Sequence, residues 1–101
     1  MKGHLYRITV EHLEDPKGNP QSRPALSFQV RNHDDLYKIV DALSGKLPME
    51  KDDATAFAIG VKLFGEAQLK YRRLPLFKGF KPQFTEFMSA LKAAVKSSPQ
   101  A

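Results

Sequence analysis

The stretch AFAIGVKLFGEAQLKYRRLP, Ala56 to Pro75, constrains this chain more than any other. Set on a helical wheel over residues 54–74, its apolar positions cover an unusually wide arc. Ile59, Leu63, Ala56, Ala67, Gly60, Phe57, Phe64 and Val61 follow one another around more than half of the cylinder. Thr55, Lys62, Glu66 and Arg73 fill the narrow polar stripe that remains. An ordinary surface helix buries one face, so this pattern calls for neighbours on at least two sides. A helix of roughly 20 residues is also about 30 Å long, enough to span a small domain. Glycine inside a helix costs about 1 kcal/mol relative to alanine. Close approach of a second element over Gly60 is the expected reason for that glycine. The pattern supplies none for Gly65.

The rest of the chain reads as cover for this helix. Residues 4–13, HLYRITVEHL, alternate, with Tyr6, Ile8 and Val10 on one side and Arg7, Thr9 and Glu11 on the other. That is the signature of a half-buried strand. EDPKGNPQSRP, from Glu14 to Pro24, is an exposed, mobile loop by composition. Strand alternation resumes at Leu26, Phe28 and Val30. Two such strands make an antiparallel hairpin over 4–31, whose long loop leaves the register poorly fixed. Asn32 is then the expected N-cap of a first helix, with Asp35 at its third position. Leu36, Ile39, Val40 and Leu43 follow the helical template, and Ser44-Gly45 stops it. Asp52 and Asp53 are expected to cap the central helix, and Pro75 to end it near Arg73. One helical turn fits before Gly79, Pro82 suits the first position of a third helix, and residues 97–101 should fray. The expectation is a single α+β domain over 1–101 of order ββααα, with helices over 32–96 and the hairpin packed on a central buried helix. A lone two-stranded sheet is marginal in water, so a second subunit is expected to complete it, giving a homodimer.

Composition narrows the function classes. The 101 residues leave room for one core, and 42% hydrophobic content argues against disorder. There are no cysteines, which removes disulfides, thiolate metal sites and cysteine nucleophiles and fits a cytoplasmic setting. No signal peptide and no membrane-spanning run is read from the sequence. The net charge of +5 is uneven. Residues 1–66 hold nine Lys/Arg against ten Asp/Glu, whereas residues 67–101 hold seven against Glu86 alone. All the excess lies in the last third, densest over 70–81, which favours an anionic partner.

Candidate chemistry is correspondingly sparse. Lys70, Tyr71, Arg72, Arg73, Phe77, Lys78, Phe80 and Lys81 interleave cations with rings, as nucleic-acid surfaces do. The bland alternative has weight: a helix–helix corner needs apolar anchors, and lysines solvate its outside. No glycine-aromatic RNA-binding signature, GXXG clamp or helix-turn-helix accompanies them. His4, His12 and His33 lack the spacing of metal ligands. Asp34-Asp35 and Asp52-Asp53 sit at helix starts, where capping explains them better than acid–base catalysis. Gly60 and Gly65 have the spacing of a phosphate loop, but Glu66-Ala67 replaces the Lys-Ser/Thr that such a loop requires. No catalytic residue, metal or cofactor is assigned. A pocket between the central helix and LPLFKGF, lined with rings and rimmed by Arg72 and Arg73, would suit a small apolar anion.

Taken together, YRITVEHL, NHDDL, AFAIGVKLFGE and PLFKGFKPQFTEFM make the chain resemble a small bacterial family known as a domain of unknown function, number 3861 of that series. The likeness runs from the first strand to the third helix. It implies a stand-alone cytosolic bacterial protein with an α+β fold and carries over no activity or catalytic residue. The expected function is therefore non-enzymatic binding of a macromolecular partner, such as an acidic protein, through the corner at 70–81. Nucleic-acid binding and binding of a small apolar anion are the alternatives.

Overall fold

Alternation in the first third produces a two-stranded antiparallel sheet, β1 over His4–Val10 and β2 over Leu26–Asn32. The computed structural model describes residues 2–97. They fall into two compact units, one ending at His33 and the other beginning at Asp34. In the hairpin, Tyr6 pairs with Val30, Ile8 with Phe28 and Val10 with Leu26, which puts the apolar residues on one face. Arg7 opposite Gln29 and Thr9 opposite Ser27 form the polar face. Exposure differs between the two ends of that face. Asn32, at one end, is 1% exposed, and Leu26, at the other, is 63% exposed.

Register is set by a loop with its own internal structure. Asp15 Oδ1 accepts from the backbone N–H of Lys17 (2.9 Å) and of Asn19 (2.8 Å), and its Oδ2 accepts from Asn19 Nδ2 (3.2 Å). Gly18, at φ +88°, closes the turn by donating to the Asp15 carbonyl. Gln21 N–H donates to the Leu13 carbonyl and Glu14 bridges Pro20, so antiparallel pairing reappears inside the loop. The aspartate does this work through its two acceptor oxygens, which mimic a backbone turn.

The helical unit starts three residues later than the capping pattern suggests. Asn32 still pairs with His4 at the end of β2, so it cannot serve as the cap. Asp35 takes that role, accepting from Tyr37 N–H at 3.0 Å, and α1 runs over Leu36–Leu43. Ser44 and Gly45, the latter at φ +75°, end it as expected. Helix α2 covers Lys51–Lys70 with Glu50 at its N-cap. Asp52 and Asp53 therefore lie inside its first turn, where they favour the positive end of the helix without capping it. The helix ends at Tyr71, before Arg73, because Leu74 turns back to bond the Tyr71 carbonyl. Pro75–Lys78 forms a one-turn helix, α3, and α4 runs over Lys81–Ser97 with Pro82 at its second residue. The fold is α+β, a hairpin followed by three multi-turn helices with one short turn of helix between the last two. The tail expected to fray lies, beyond Ser97, outside the described residues.

The helical core is a seam between α1 and α2. Leu36 and Leu43 are buried on α1, and Ala54 and Ala58 on α2. An ion pair of 2.9 Å from Lys62 to Asp34 clamps the entry to α1 against α2. Being partly exposed, it contributes at most about 1 kcal/mol. Only Ala54, Ala58 and Gln68 of α2 are buried, far fewer than its wide apolar arc predicts. Large rings explain the shortfall: α4 meets α2 through Phe87 against Phe57 and Phe84 against Phe64, edge to face. Edge contacts hold two helices apart and leave parts of both faces open. Gly60 is one such open position, with no atom within 4 Å of where a Cβ would stand. The approached glycine is Gly65, where a Cβ would meet the Phe84 ring at 3.4 Å.

These geometries give opposite signs for two alanine substitutions. Gly60→Ala should stabilise the protein by about 1 kcal/mol, the helix-propensity difference, in urea unfolding. Gly3→Ala should destabilise it by roughly 1–3 kcal/mol, because Gly3 holds φ +68° and an added Cβ would lie 2.8 Å from the Asn32 carbonyl oxygen. A pH effect follows from Asp15, whose carboxyl is held below its ordinary pKa by the Asn19 backbone and side chain first, and then by Lys17 and Gly18. A depressed native pKa stabilises the loop fully above the unfolded value and loses that contribution as pH falls through the native one. The Lys17 and Asn19 amide resonances should therefore titrate together, with a midpoint below that of an unstructured aspartate.

Candidate functional site

The chain's excess positive charge meets its densest group of rings at one end of the helical unit. Phe64, on the second half of α2, lies at the centre. Its ring is 5.7 Å from Phe84, 5.9 Å from Phe80 and 6.3 Å from Phe77, and Phe80 also lies 6.3 Å from Phe84. The turn Tyr71–Leu74 and helix α3 fold the chain back so that Phe77 and Phe80 reach Phe64. Tilted and T-shaped pairs of this kind contribute roughly 0.5–1.5 kcal/mol each beyond area burial. The rings thus serve as the corner's anchors, yet Phe64 and Phe80 remain 43% and 42% exposed.

Around this cluster are two concavities. The first is a shallow, open depression of about 560 Å³ lined by Leu69, Lys70, Tyr71, Arg72, Arg73 and Leu74. Lys70 Nζ lies 5.6 Å from the centre of the Tyr71 ring, a cation–π contact that holds both side chains on the surface. The second is smaller, about 200 Å³, and is lined by Gly65, Gln68, Leu69, Arg72, Phe77, Lys81, Phe84 and Thr85. Arg72 borders both.

Of the residues singled out from sequence, Lys70, Tyr71, Arg72 and Arg73 surround the depression, and Arg72, Phe77 and Lys81 line the cavity. Phe80 belongs to the ring cluster, and Lys78 lines neither space. Sequence reasoning missed Gly65, Gln68, Leu69 and Thr85 as neighbours of this corner. Gln68 carried a signal: it follows Phe64 by four residues and Val61 by seven, so it is a polar interruption of the apolar arc. Here it is only 8% exposed, and its Nε2 is buried with no hydrogen-bond acceptor in reach.

A second groove, about 270 Å³, runs between α1, α2 and α4, apolar along Ile39, Leu43, Val61, Met88 and Leu91 and edged by Lys62, Lys92 and Lys96. Among the described residues no three His, Cys, Asp or Glu side chains gather as ligands of one metal ion. No helix among them is long and apolar enough to cross a membrane. Chemically, the basic corner can hold anions against exposed rings.

Comparison with known proteins agrees with this fold. No curated protein matches the chain. A crystal structure of a protein of unknown function from Pectobacterium atrosepticum is similar at 40% identity and a TM-score of 0.78, covering 90% of this chain and 98% of that one. A family profile matches residues 4–93, which include both strands and all but the last turn of α4. The chain belongs to that family, described as "Domain of Unknown Function with solved-structure structure (DUF3861)".

Proposed function

We propose that this protein is a non-enzymatic, cytoplasmic binding protein that holds an acidic macromolecular partner on the corner at residues 70–81. The observation that carries this reading is apolar surface left uncovered among cations. Tyr71 is 51% exposed, Leu74 47% and Leu76 76%, beside Lys70, Arg72, Arg73, Lys78 and Lys81. Exposed Tyr and Arg side by side are the composition of interface anchors. Glu86 is the only acidic residue after Glu66, so an acidic partner would meet little repulsion.

Two copies of the chain are inferred to pair along a hairpin edge, making a four-stranded sheet across a two-fold axis. Support comes from the sheet itself: each strand has a single neighbour, so each presents an outer edge.

The corner is tested with the triple variant Arg72→Glu, Arg73→Glu, Lys78→Glu. Its circular dichroism should match wild type, and its capture of acidic protein from a bacterial lysate should fall by at least about tenfold. Unchanged capture would move the site elsewhere. Nucleic acid is the competing ligand, and steep loss of affinity with salt on a single- or double-stranded oligonucleotide would favour it instead. For the pairing, light scattering at micromolar concentration should return twice the chain mass, and a monomer mass would remove it.

A further inference from the structure

We propose that the cavity under Gln68 is a binding site for a small aryl carboxylate, an anion with one aromatic ring. The first observation is the orphaned donor. Gln68 is more than nine-tenths buried, and its Nε2 has no acceptor in reach. Buried amide N–H groups are almost always satisfied, because leaving one dry forfeits its hydration without return. An amide nitrogen can only donate, so the missing group is an acceptor oxygen.

The lining supplies the remaining chemistry. Leu69, Phe77 and Phe84 give apolar walls, and the charged members of the lining, Arg72 and Lys81, are both cations. Such a site calls for an apolar body with an anionic head. Size then selects the body. A dry cavity of about 150 Å³ accommodates benzene, and this one measures about 200 Å³. One ring fits, with space for a carboxylate. Gln68 Nε2 is itself closed off in the free protein, so binding would turn the amide toward the cavity, where one carboxylate oxygen would take its N–H and the other would face Arg72 and Lys81. Gly65 helps make the room, since the Phe84 ring already lies 3.4 Å from where its Cβ would stand. The groove between α1, α2 and α4 offers lysines and apolar walls too, but none of its lining residues is a buried polar group without a partner.

This inference shares Arg72 with the macromolecular reading but does not rest on it, because the group that carries it is buried. Phenylacetate is the test ligand, followed by nitrogen-15 NMR of the Gln68 side-chain amide on the full chain. Benzyl alcohol supplies the ring without the charge, and acetate the charge without the ring. Phenylacetate should shift the Gln68 amide saturably, and both controls should bind at least about tenfold more weakly, the factor expected for a lost charged hydrogen bond or a lost ring contact. Gln68→Leu keeps the shape and removes the donor. It should raise the melting temperature of the free protein and weaken phenylacetate by about tenfold or more. Lys81→Gln, on the exposed rim, provides a second variant that does not perturb the packed interior and should also weaken phenylacetate. Arg73→Glu with Lys78→Glu should impair partner capture and leave phenylacetate binding in place, which separates the two readings. Absence of a saturable shift at Gln68 at millimolar phenylacetate would overturn the proposal. So would wild-type affinity in Gln68→Leu or in Lys81→Gln.

Discussion

Phe64 holds the basic end of the helical unit together, and the site exists in its present form because of how a ring does that. Along its first half, α2 meets α1 through Ala54 and Ala58, two small residues that let a neighbouring helix approach. From Phe57 onward its neighbours on α3 and α4 are reached by rings, mostly at steep angles. Small residues make a close, dry seam, whereas rings meeting edge to face make a wider and less complete one. A helix packed these two ways is held closely on the face that carries Ala54 and Ala58 and propped by rings on the face that carries Phe57 and Phe64. Concave space lies beside Phe84 at the end of the propped face.

Charge and space coincide there for a reason of chain geometry. The turn at Tyr71–Leu74 and the single turn of α3 must reverse the chain within a few residues. Phe77 and Phe80 anchor that reversal on Phe64, and the intervening Lys78 and Lys81, like Arg72 and Arg73 before them, are left facing outward. Anchoring and display are thus one alternation. Gln68 is the exception, a polar group on the anchoring side. An unsatisfied buried amide costs about 1–3 kcal/mol, a large amount for a domain of this size. Strain of that kind concentrates at functional sites, where stability is given up for binding.

Period and composition made the elements legible, because Tyr6, Ile8, Val10 and Leu36, Ile39, Val40, Leu43 each fit one template only. The acidic caps were harder. Asn32 and Asp35 are both good N-cap residues, and which one acts depends on how far β2 extends its pairing, a non-local fact. Gly60 and Gly65 are likewise alike in sequence. What separates them is the position of the Phe84 ring, which comes from a helix far along the chain. The basic stretch at 70–81 was visible because charge needs no fold to be counted. The cavity beside it was not, since it depends on Gln68 and Phe84 converging in space. The resemblance read from four motifs is matched by the family profile, and it brought no site with it.

The turn built on Asp15 has a consequence for how the hairpin assembles. Joining Val10 to Leu26 across an open loop requires the chain to close a long circuit before any strand contact is made. Closure entropy rises with loop length, by about 0.6 kcal/mol for each doubling. The Asp15–Asn19 turn is local, so it can form before the strands meet, and the Leu13–Gln21 bond can follow it. Each step leaves a shorter circuit for the next. Strand pairing from Val10 and Leu26 toward His4 and Asn32 would then need only a short closure, so a topology with long sequence separation has a local starting point available to it.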